Sequence, residues 1–307
     1  MPVPVPVFSK PSIILTPEKL RYNPCDDVIF PCVIRTAGLI EDALGTYYLY
    51  YAPHDEPGGI CLAYSDALAG PWIQYEENPI VTRQWSPHYE VSHVSSPHVI
   101  WMNQASRFFL YFHGENDTTR LASSSDGIHF EYEGVAVTTG MYDRISESSY
   151  ARVFPCAPIS KEAAYVMLFM GNNEGTRRIY AAWSRDGITF EAQRKPLISP
   201  PPGMEVTQVG SPWYFPWQGG NFVVFHGDKT PPDLSDLTSD LYLAEVGPDF
   251  AGENHQGVFY RRQALSDGNQ RVSDPCLFHE NGEDWLFMAV GPRLHQAIAL
   301  ARITSMD

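Results

Sequence analysis

The hydrophobic positions of this chain fall in short runs, each about the length of one β-strand. These runs are rich in aromatic and β-branched residues, and all but the last end in a polar residue: "TYYLYYAPH" (46–54), "RFFLYFHGE" (107–115), "YVMLFMGNN" (165–173), "NFVVFHGDK" (221–229) and "DWLFMAVGP" (284–292). No window shows helical periodicity longer than two turns. The pattern therefore predicts an all-β protein.

Each of these runs follows a shorter apolar segment that contains a proline. The five segments are "IFPCVI" (29–34), "SSPHVI" (95–100), "VFPCAP" (153–158), "GSPWYF" (210–215) and "SDPCLF" (273–278). Their anchoring prolines, spaced by about 57 to 66 residues, are Pro31, Pro97, Pro155, Pro212 and Pro275. A third strand follows in every copy, so the chain contains five copies of one antiparallel unit.

A nearly identical phrase closes the second and third copies, "SSSDGIHFE" (123–131) and "WSRDGITFE" (183–191). Asp-Gly supplies the positive φ angles of a type I′ turn, and strand-like residues lie on both sides. We interpret Asp126-Gly127 and Asp186-Gly187 as hairpin turns.

Units of this size bury their faces only by packing side by side, and the closed arrangement of five is a five-bladed β-propeller with antiparallel blades around a central channel. We predict one domain, 1–307, with blades at roughly 27–92, 93–148, 149–207, 208–270 and 271–307. The last blade lacks a fourth strand, which "PSIILT" (11–16) could supply. A β-sandwich is the alternative.

Charge and composition exclude several classes of function. The net charge of −15 disfavours nucleic acid and anionic membrane surfaces, both of which require clustered Lys and Arg. The start of the chain lacks the pattern of a signal peptide, and no apolar run is long enough to span a membrane. Five cysteines without a C-x-x-C pair do not suggest disulfides. We expect a cytoplasmic protein that binds a small, neutral or cationic molecule, and the sequence leaves the oligomeric state open.

Polar residues collect at one mouth of the predicted channel, where first strands begin and second strands end. The first strands contribute Asp26, Asp27, His93, Ser95, Ser96, His98, Arg152, Ser211, Trp213 and Asp274. The second strands contribute His54, Asp55, His113, Glu115, Asn172, Asn173, His226, Asp228 and Arg293. The opposite mouth carries ordinary turn residues, and this asymmetry predicts a site.

Individual residues at this mouth have a functional and a structural interpretation. His113 and His226 are equivalent and either bind hydroxyls or an ion, or cap strand ends. Asp274, just before a first-strand proline, either points into the channel or bonds the nearby backbone. An anchoring proline precedes each of Cys32, Cys156 and Cys276. Because the position is the same in three copies, small buried side chains that pack in the core are a simpler explanation than metal ligands. We expect no required cofactor, although a metal ion in the channel is compatible with the sequence.

At these residues the chain resembles the five-bladed propeller glycosidases, a superfamily that includes glycoside hydrolase families 43, 32, 62, 68, 117 and 130. The resemblance covers essentially the whole chain and rests on the five-copy register, the Asp-Pro of "SDPCLF" and the "SxDGIxF" hairpins. In family 43 it implies an Asp base, a second Asp and a Glu acid. Of these three carboxylates, only the base has a counterpart here, Asp27. The second and third copies carry Ser96 and Phe154 where the other two carboxylates are expected.

The resemblance implies a glycoside hydrolase that acts by general acid/base catalysis on a small oligosaccharide or glycoside. The expected catalytic residues are Asp27 as base, Asp274 as second carboxylate and Glu205, Glu90 or a histidine as acid. The expected substrate-binding residues are His54, His93, His98, His113, Arg152, Trp213, His226 and Asp228. Two alternatives remain open: a carbohydrate-binding propeller without catalysis, and a lyase or isomerase that uses the histidines.

Overall fold

A computed structural model describes residues 6–142, 144–156, 163–229, 237–262 and 271–306. The described chain is almost entirely β-structure. Its two helical segments are single 3-10 turns, Pro17–Lys19 and Thr139–Met141, and neither is long enough to cross a bilayer. The strands are β1 (Pro6–Phe8), β2 (Ser12–Leu15), β3 (Ile29–Arg35), β4 (Tyr47–Ala52), β5 (Cys61–Ser65), β6 (Ile73–Gln74), β7 (Gln84–Trp85), β8 (Tyr89–Glu90), β9 (Val94–Met102), β10 (Arg107–Gly114), β11 (Thr118–Ser124), β12 (Glu131–Thr138), β13 (Ser149–Pro155), β14 (Tyr165–Asn173), β15 (Thr176–Ser184), β16 (Glu191–Ala192), β17 (Gln208–Trp217), β18 (Gly220–Lys229), β19 (Thr238–Val246), β20 (Glu253–Tyr260), β21 (Arg271–Glu280), β22 (Glu283–Gly291) and β23 (Ala297–Met306).

These strands form successive antiparallel groups, which confirms the all-β class. Three groups are separate four-stranded sheets, β3–β6, β9–β12 and β13–β16. Two further groups, β17–β20 and β21–β23, share one nine-stranded sheet because β19 meets β21 in parallel at Ser239 and Arg271. We number the groups as repeats one to five in chain order. The N-terminal β2 pairs with β23 in repeat five, as predicted for "PSIILT", and β1 pairs with the end of β23.

The first strands of the repeats are neighbours in space. Strand β3 contacts β9, β9 contacts β13, β13 contacts β17, β17 contacts β21, and β21 contacts β3. The second strands are buried on both faces: all six residues of β4 are buried, as are seven of the eight residues of β10. A strand enclosed on both faces is hydrophobic along its length rather than alternating, which explains the continuous runs in the sequence.

A β-bulge interrupts the start of every first strand. In each repeat the pairing with the second strand shifts register at a residue with positive φ: Phe30, Ser96, Tyr150, Ser211 and Asp274. The next residue is proline in four repeats, because a bulge leaves that position outside the ladder of hydrogen bonds and proline has no N–H to offer.

The predicted anchor in repeat three is wrong. The bulge there is at Tyr150 and Ala151, whereas Pro155 pairs with Tyr165 at the far end of β13. A bulge tolerates alanine as well as proline, so the nearby proline misled the alignment. Cys32 and Cys276 are therefore equivalent positions, and their counterpart in repeat three is Arg152 rather than Cys156.

The repeated Asp-Gly phrase forms six-residue loops rather than two-residue type I′ turns. Gly127 has a φ of 76° and Gly187 a φ of 74°, while neither preceding Asp has a positive φ. In the first loop Asp126 Oδ1 accepts hydrogen bonds from the N–H groups of Ile128 and His129, at 2.8 and 2.9 Å. In the second loop Asp186 makes the equivalent bonds.

Each Asp-Gly loop is also tied to the preceding repeat by a tyrosine. Tyr50 Oη of β4 donates to the carbonyl of Gly127 at 2.7 Å, and Tyr111 Oη of β10 donates to that of Gly187 at 2.6 Å. Tyr50 and Tyr111 lie opposite equivalent first-strand residues, Cys32 and His98. The repeated phrase therefore serves the packing of neighbouring repeats.

Candidate active site

The five bulges bring a ring of polar side chains to one end of the first strands. The residues three positions before the bulges are all polar: Asp27, His93, Glu147, Gln208 and Arg271. We call this end of the first strands the mouth. The ends of the second strands reach the same end, because Ser95 pairs with His113, Gly210 with His226 and Gln208 with Asp228.

Asp274 is buried at the mouth, 2% exposed, and both of its oxygens are occupied. Ser211 Oγ donates a short hydrogen bond to Oδ1, and Ser273 Oγ donates to Oδ2 at 2.6 Å. Of the five bulge positions, only this one carries a carboxylate. Because of the bulge, this carboxylate reaches Ser211 in the neighbouring first strand β17.

Asp27 is also buried, 1% exposed, but only one of its oxygens is held. The N–H of Gln296 donates to Oδ1 at 2.7 Å, and Oδ2 has no hydrogen-bond partner among the described residues. Burial raises the pKa of Asp27, and the nearby carboxylate of Asp274 adds to this, while the Gln296 N–H, His54 and Arg271 oppose it. Asp27 is thus an oriented carboxyl group with one free oxygen.

A buried ion pair stands beside Asp274. Arg271 Nη2 lies 3.2 Å from Asp228 Oδ1. Burial alone would raise the pKa of Asp228, but the charge of Arg271 and the interaction with His226 outweigh it and lower that pKa. His226 lies between the carboxylates, with Nε2 3.8 Å from Asp228 Oδ2 and Nδ1 3.9 Å from Asp274 Oδ1.

The two buried aspartates are connected by Gln296. Its N–H binds Asp27, its Nε2 donates to Ser273 Oγ at 3.1 Å, and its Oε1 accepts from Arg271 Nη1 at 3.3 Å. Ser273 in turn binds Asp274. Gln296 precedes β23 and holds the carboxyl groups of two different segments in one network.

Three histidines line the mouth on the side of repeats one and two. His54 Nδ1 donates to Asp55 Oδ1 at 2.5 Å, and the ring stacks on Phe30. The rings of His93 and His113 lie 5.5 Å apart, and His113 also contacts Tyr150. Burial holds the pKa of His113 well below its usual value, and the neighbouring positive groups add to that effect.

Arg152, His98 and Trp213 lie two residues beyond their bulges. Arg152 is fully buried, and Nη1 donates to Ser96 Oγ at 3.1 Å while Nε and Nη2 have no partner among the described residues. His98 Nε2 bonds the carbonyl of Val153 at 2.7 Å, and its ring packs against Trp213. Burial, assisted by Arg152, lowers the pKa of His98 to about 3, so its imidazole is neutral.

Glu205 is not part of this cluster. Its side chain is 80% exposed and pairs with Lys229 on the surface. Glu90 is likewise exposed and accepts from Gln84 Nε2. Neither carboxylate has the burial that would make it an effective proton donor near neutral pH.

Several residues of the mouth were missed by the sequence interpretation. Arg177 makes a bidentate pair with Glu147, both distances being 3.0 Å, and its N–H bonds Gln208 Oε1. Tyr150 and Gln296 were also missed. A bulge register based on Tyr150 would have identified Glu147 as the counterpart of Asp27, whereas nothing in the sequence indicates the partner of Gln296.

The described residues contain no group of three or more His, Cys, Asp or Glu side chains that could hold a metal ion. Cys32 Sγ instead accepts from the N–H of Val99, and Cys276 Sγ accepts from that of Val33. These two thiols serve packing between first strands.

Comparison with solved structures identifies the class of fold. The chain is similar to an α-L-arabinofuranosidase from Lactobacillus brevis, with a TM-score of 0.61, 14% identity and coverage of 91% of each chain. It is similar to a family 43 endo-arabinanase from Bacillus licheniformis, with a TM-score of 0.58, 14% identity and coverage of 90% of this chain and 94% of that one. An endo-1,4-β-xylanase from Bacteroides thetaiotaomicron gives a TM-score of 0.63 at 13% identity, covering 94% and 92%. No protein-family model and no curated protein matches the sequence.

These likenesses cover nearly the whole chain and confirm the expected resemblance to family 43 glycoside hydrolases as a resemblance of fold. The identities are too low to carry activity or substrate from those proteins to this one.

Proposed function

We propose that this protein is a glycoside hydrolase built as a five-bladed β-propeller, with its active site at the mouth. The cycle of contacts among the five first strands supports the propeller. The observation that carries the activity is a concentration, around the mouth, of buried polar atoms that have no hydrogen-bond partner in the described part of the chain: Asp27 Oδ2, His113 Nδ1, Arg152 Nε and Nη2, His226 Nδ1 and Arg271 Nε. Proteins rarely leave such groups unpaired, and a sugar with several hydroxyls would pair them.

Asp27 has the features of a general base. Its Oδ1 is fixed by the main chain, and its Oδ2 is free to take a proton from an attacking water. A carboxylate whose pKa is raised accepts that proton more readily than an ordinary aspartate. Burial thus suits Asp27 to the role that the sequence suggested.

Asp274 has a different role in this proposal. Both of its oxygens already accept hydroxyl hydrogen bonds, so it is less able to exchange protons. Its negative charge would instead stabilise the positive charge that develops on the sugar ring as the glycosidic bond breaks. His226, Asp228 and Arg271 would bind sugar hydroxyls beside it.

The experiment is a screen of 4-nitrophenyl glycosides that begins with α-L-arabinofuranosides and β-D-xylosides, the sugar classes named for the similar structures. Wild-type protein should release nitrophenol from at least one of them, and Asp27→Asn and Asp274→Asn should each reduce the rate strongly. Turnover that both substitutions leave unchanged would refute the proposed site.

A second candidate function is carbohydrate binding without turnover. It is favoured by one observation: four of the five bulge positions carry Phe30, Ser96, Tyr150 and Ser211 rather than acids. Calorimetric binding of a free sugar, combined with no turnover across the screen, would select this candidate.

A further inference from the structure

The hydrolysis proposed above needs a proton donor, and among the described residues of the mouth His54 has a geometry suited to that role. His54 follows β4 and its imidazole is fixed from two directions. Nδ1 is bonded to Asp55 at 2.5 Å, and the ring stacks on Phe30 with the planes 15° apart and the centroids 6.3 Å apart. This leaves Nε2 as the ring nitrogen available to a ligand. The side chain is 25% exposed, so a ligand can reach it.

The other histidines of the mouth are less suited to donate a proton. His98, His113 and His226 are buried, and burial lowers the pKa of each one, so their imidazoles are neutral near pH 7. His93 Nδ1 lies 2.9 Å from Ser92 Oγ, which is itself bound to Glu115. His54 differs from these four because it has both a carboxylate partner and access to solvent. His295 also has both, but its two ring nitrogens each lie near a carboxylate, Asp26 and Glu18.

His54 also lies within electrostatic reach of Asp27. The interaction with His54 opposes the burial that raises the pKa of Asp27, and His54 contributes to the lowered pKa of His113. The hydrogen bond from His54 lowers the pKa of Asp55, and Arg293 and His93 act on Asp55 in the same direction. The charged and titratable groups around His54 among the described residues are therefore Cys25, Asp55, Asp27, His93, His113 and Arg293.

We propose that His54 is the general acid of this site and that Asp55 positions it; this inference rests on the proposed hydrolase function. The Nε2–H of the imidazolium gives its proton to the glycosidic oxygen as the bond from that oxygen to the anomeric carbon breaks, which releases the aglycone alcohol. A water forms the new bond to the anomeric carbon and gives its proton to Asp27. Proton exchange with solvent then restores both residues.

The test compares leaving groups. A glycoside of the sugar that the wild type cleaves is prepared with 2,4-dinitrophenol, which needs no protonation to leave, and with phenol, which does. His54→Gln should lower kcat/KM on the phenyl glycoside by about 10²–10⁴-fold and on the dinitrophenyl glycoside by less than about tenfold. Equal losses on both substrates, or no loss on either, would overturn the assignment.

Asp55→Asn provides a second readout. Removing the negative charge beside the imidazolium should move the basic limb of the kcat/KM profile on the phenyl glycoside to lower pH, because the protonated ring loses its partner. His54→Gln should abolish that limb. A basic limb that stays in place in both variants would contradict the proposal.

His129→Gln is the matched control. His129 Nδ1 also bonds an aspartate, Asp126 Oδ2 at 2.7 Å, but it is 74% exposed and belongs to the Asp-Gly loop of repeat two. Both rates should be unchanged in this variant. If the proposed hydrolase function itself is wrong, the wild type will cleave no glycoside of the 4-nitrophenyl screen, which distinguishes that outcome from failure of the His54 assignment.

Discussion

Aspartates occupy two contrasting environments in this molecule, the mouth and the Asp-Gly loops. In the loop of repeat two, burial works against ionisation of Asp126, yet hydrogen bonds from His129, Ile128 and Ser124 outweigh it and bring its pKa to about 2. At the mouth Asp27 accepts a single main-chain bond, and its pKa is raised by burial. The loop aspartates accept hydrogen bonds from N–H groups of their own turns. Asp27, by contrast, is buried with one oxygen that has no hydrogen-bond partner among the described residues.

The difference separates structural from functional carboxylates. A carboxylate that accepts several hydrogen bonds is stabilised as an anion and contributes to folding. A buried carboxylate with a free oxygen lowers the stability of the folded state, and carboxyl groups with raised pKa values cluster at functional sites. The conspicuous repeat in the sequence therefore marks packing, whereas the inconspicuous Asp27 belongs to the proposed site.

The largest effect is expected from Asp27→Asn. If Asp27 is the base, kcat/KM should fall by about 10⁴-fold, since the amide cannot accept the proton of water. The variant should also unfold at a higher temperature near pH 7. Because the folded-state pKa is raised above the usual value of about 3.9, ionised Asp27 destabilises the fold as pH rises through that pKa. A rate profile and a thermal melt check both parts, and a less stable, fully active variant would contradict them.

Asp274→Asn should have a somewhat smaller effect. Its charge is proposed to stabilise the transition state, so kcat should fall by about 10²–10³-fold with little change in KM. Steady-state kinetics on the best aryl glycoside give both constants. A rise in KM at constant kcat would instead make Asp274 a substrate-binding residue.

The loop aspartates should show the reverse pattern. Asp126→Asn and Asp186→Asn each remove a charged acceptor from backbone N–H groups, which should cost about 1–2 kcal/mol of unfolding free energy and leave kcat/KM unchanged. For wild-type protein, the contribution of Asp126 is present above about pH 4 and is lost as pH falls toward 2, because its folded-state pKa is lowered. Denaturant titration at pH 7 measures the first effect, and acid titration measures the second.

The smallest effect is expected from the tyrosines that tie the loops to the preceding repeats. Tyr111→Phe deletes the hydroxyl that donates to Gly187 and keeps the ring, so it should cost about 1 kcal/mol and leave activity intact. Tyr165→Phe, whose ring is only partly buried beside the same strands, is a suitable control. Equal stability of the two variants would remove the proposed link between repeats.

Much of the fold was predictable because the periodic signals are local. The second strands could be recognised in the sequence as continuous hydrophobic runs. The pairing of β2 with β23 could be predicted because the last repeat lacks a fourth strand of its own. The alignment of repeat three was wrong because its bulge contains Ala151 rather than proline. The bulge is set by backbone conformation at Tyr150, which no residue type in the sequence reveals.

The composition of the mouth was predictable only in part. Asp27 and Asp274 could be picked out from their positions before the prolines, but the choice of Glu205 ignored burial, which depends on the folded surface. Gln296, which connects both aspartates, lies 269 residues from Asp27, and such a contact has no local signature. The same is true of the pairing between Arg177 and Glu147.

The most direct test is a crystal structure of the Asp27→Asn variant soaked with the glycoside that wild-type protein cleaves. The sugar should bind at the mouth with its glycosidic oxygen within about 3 Å of His54 Nε2 and a water between its anomeric carbon and residue 27. A sugar bound elsewhere on the molecule, with Asp274 and His54 out of reach, would contradict the account.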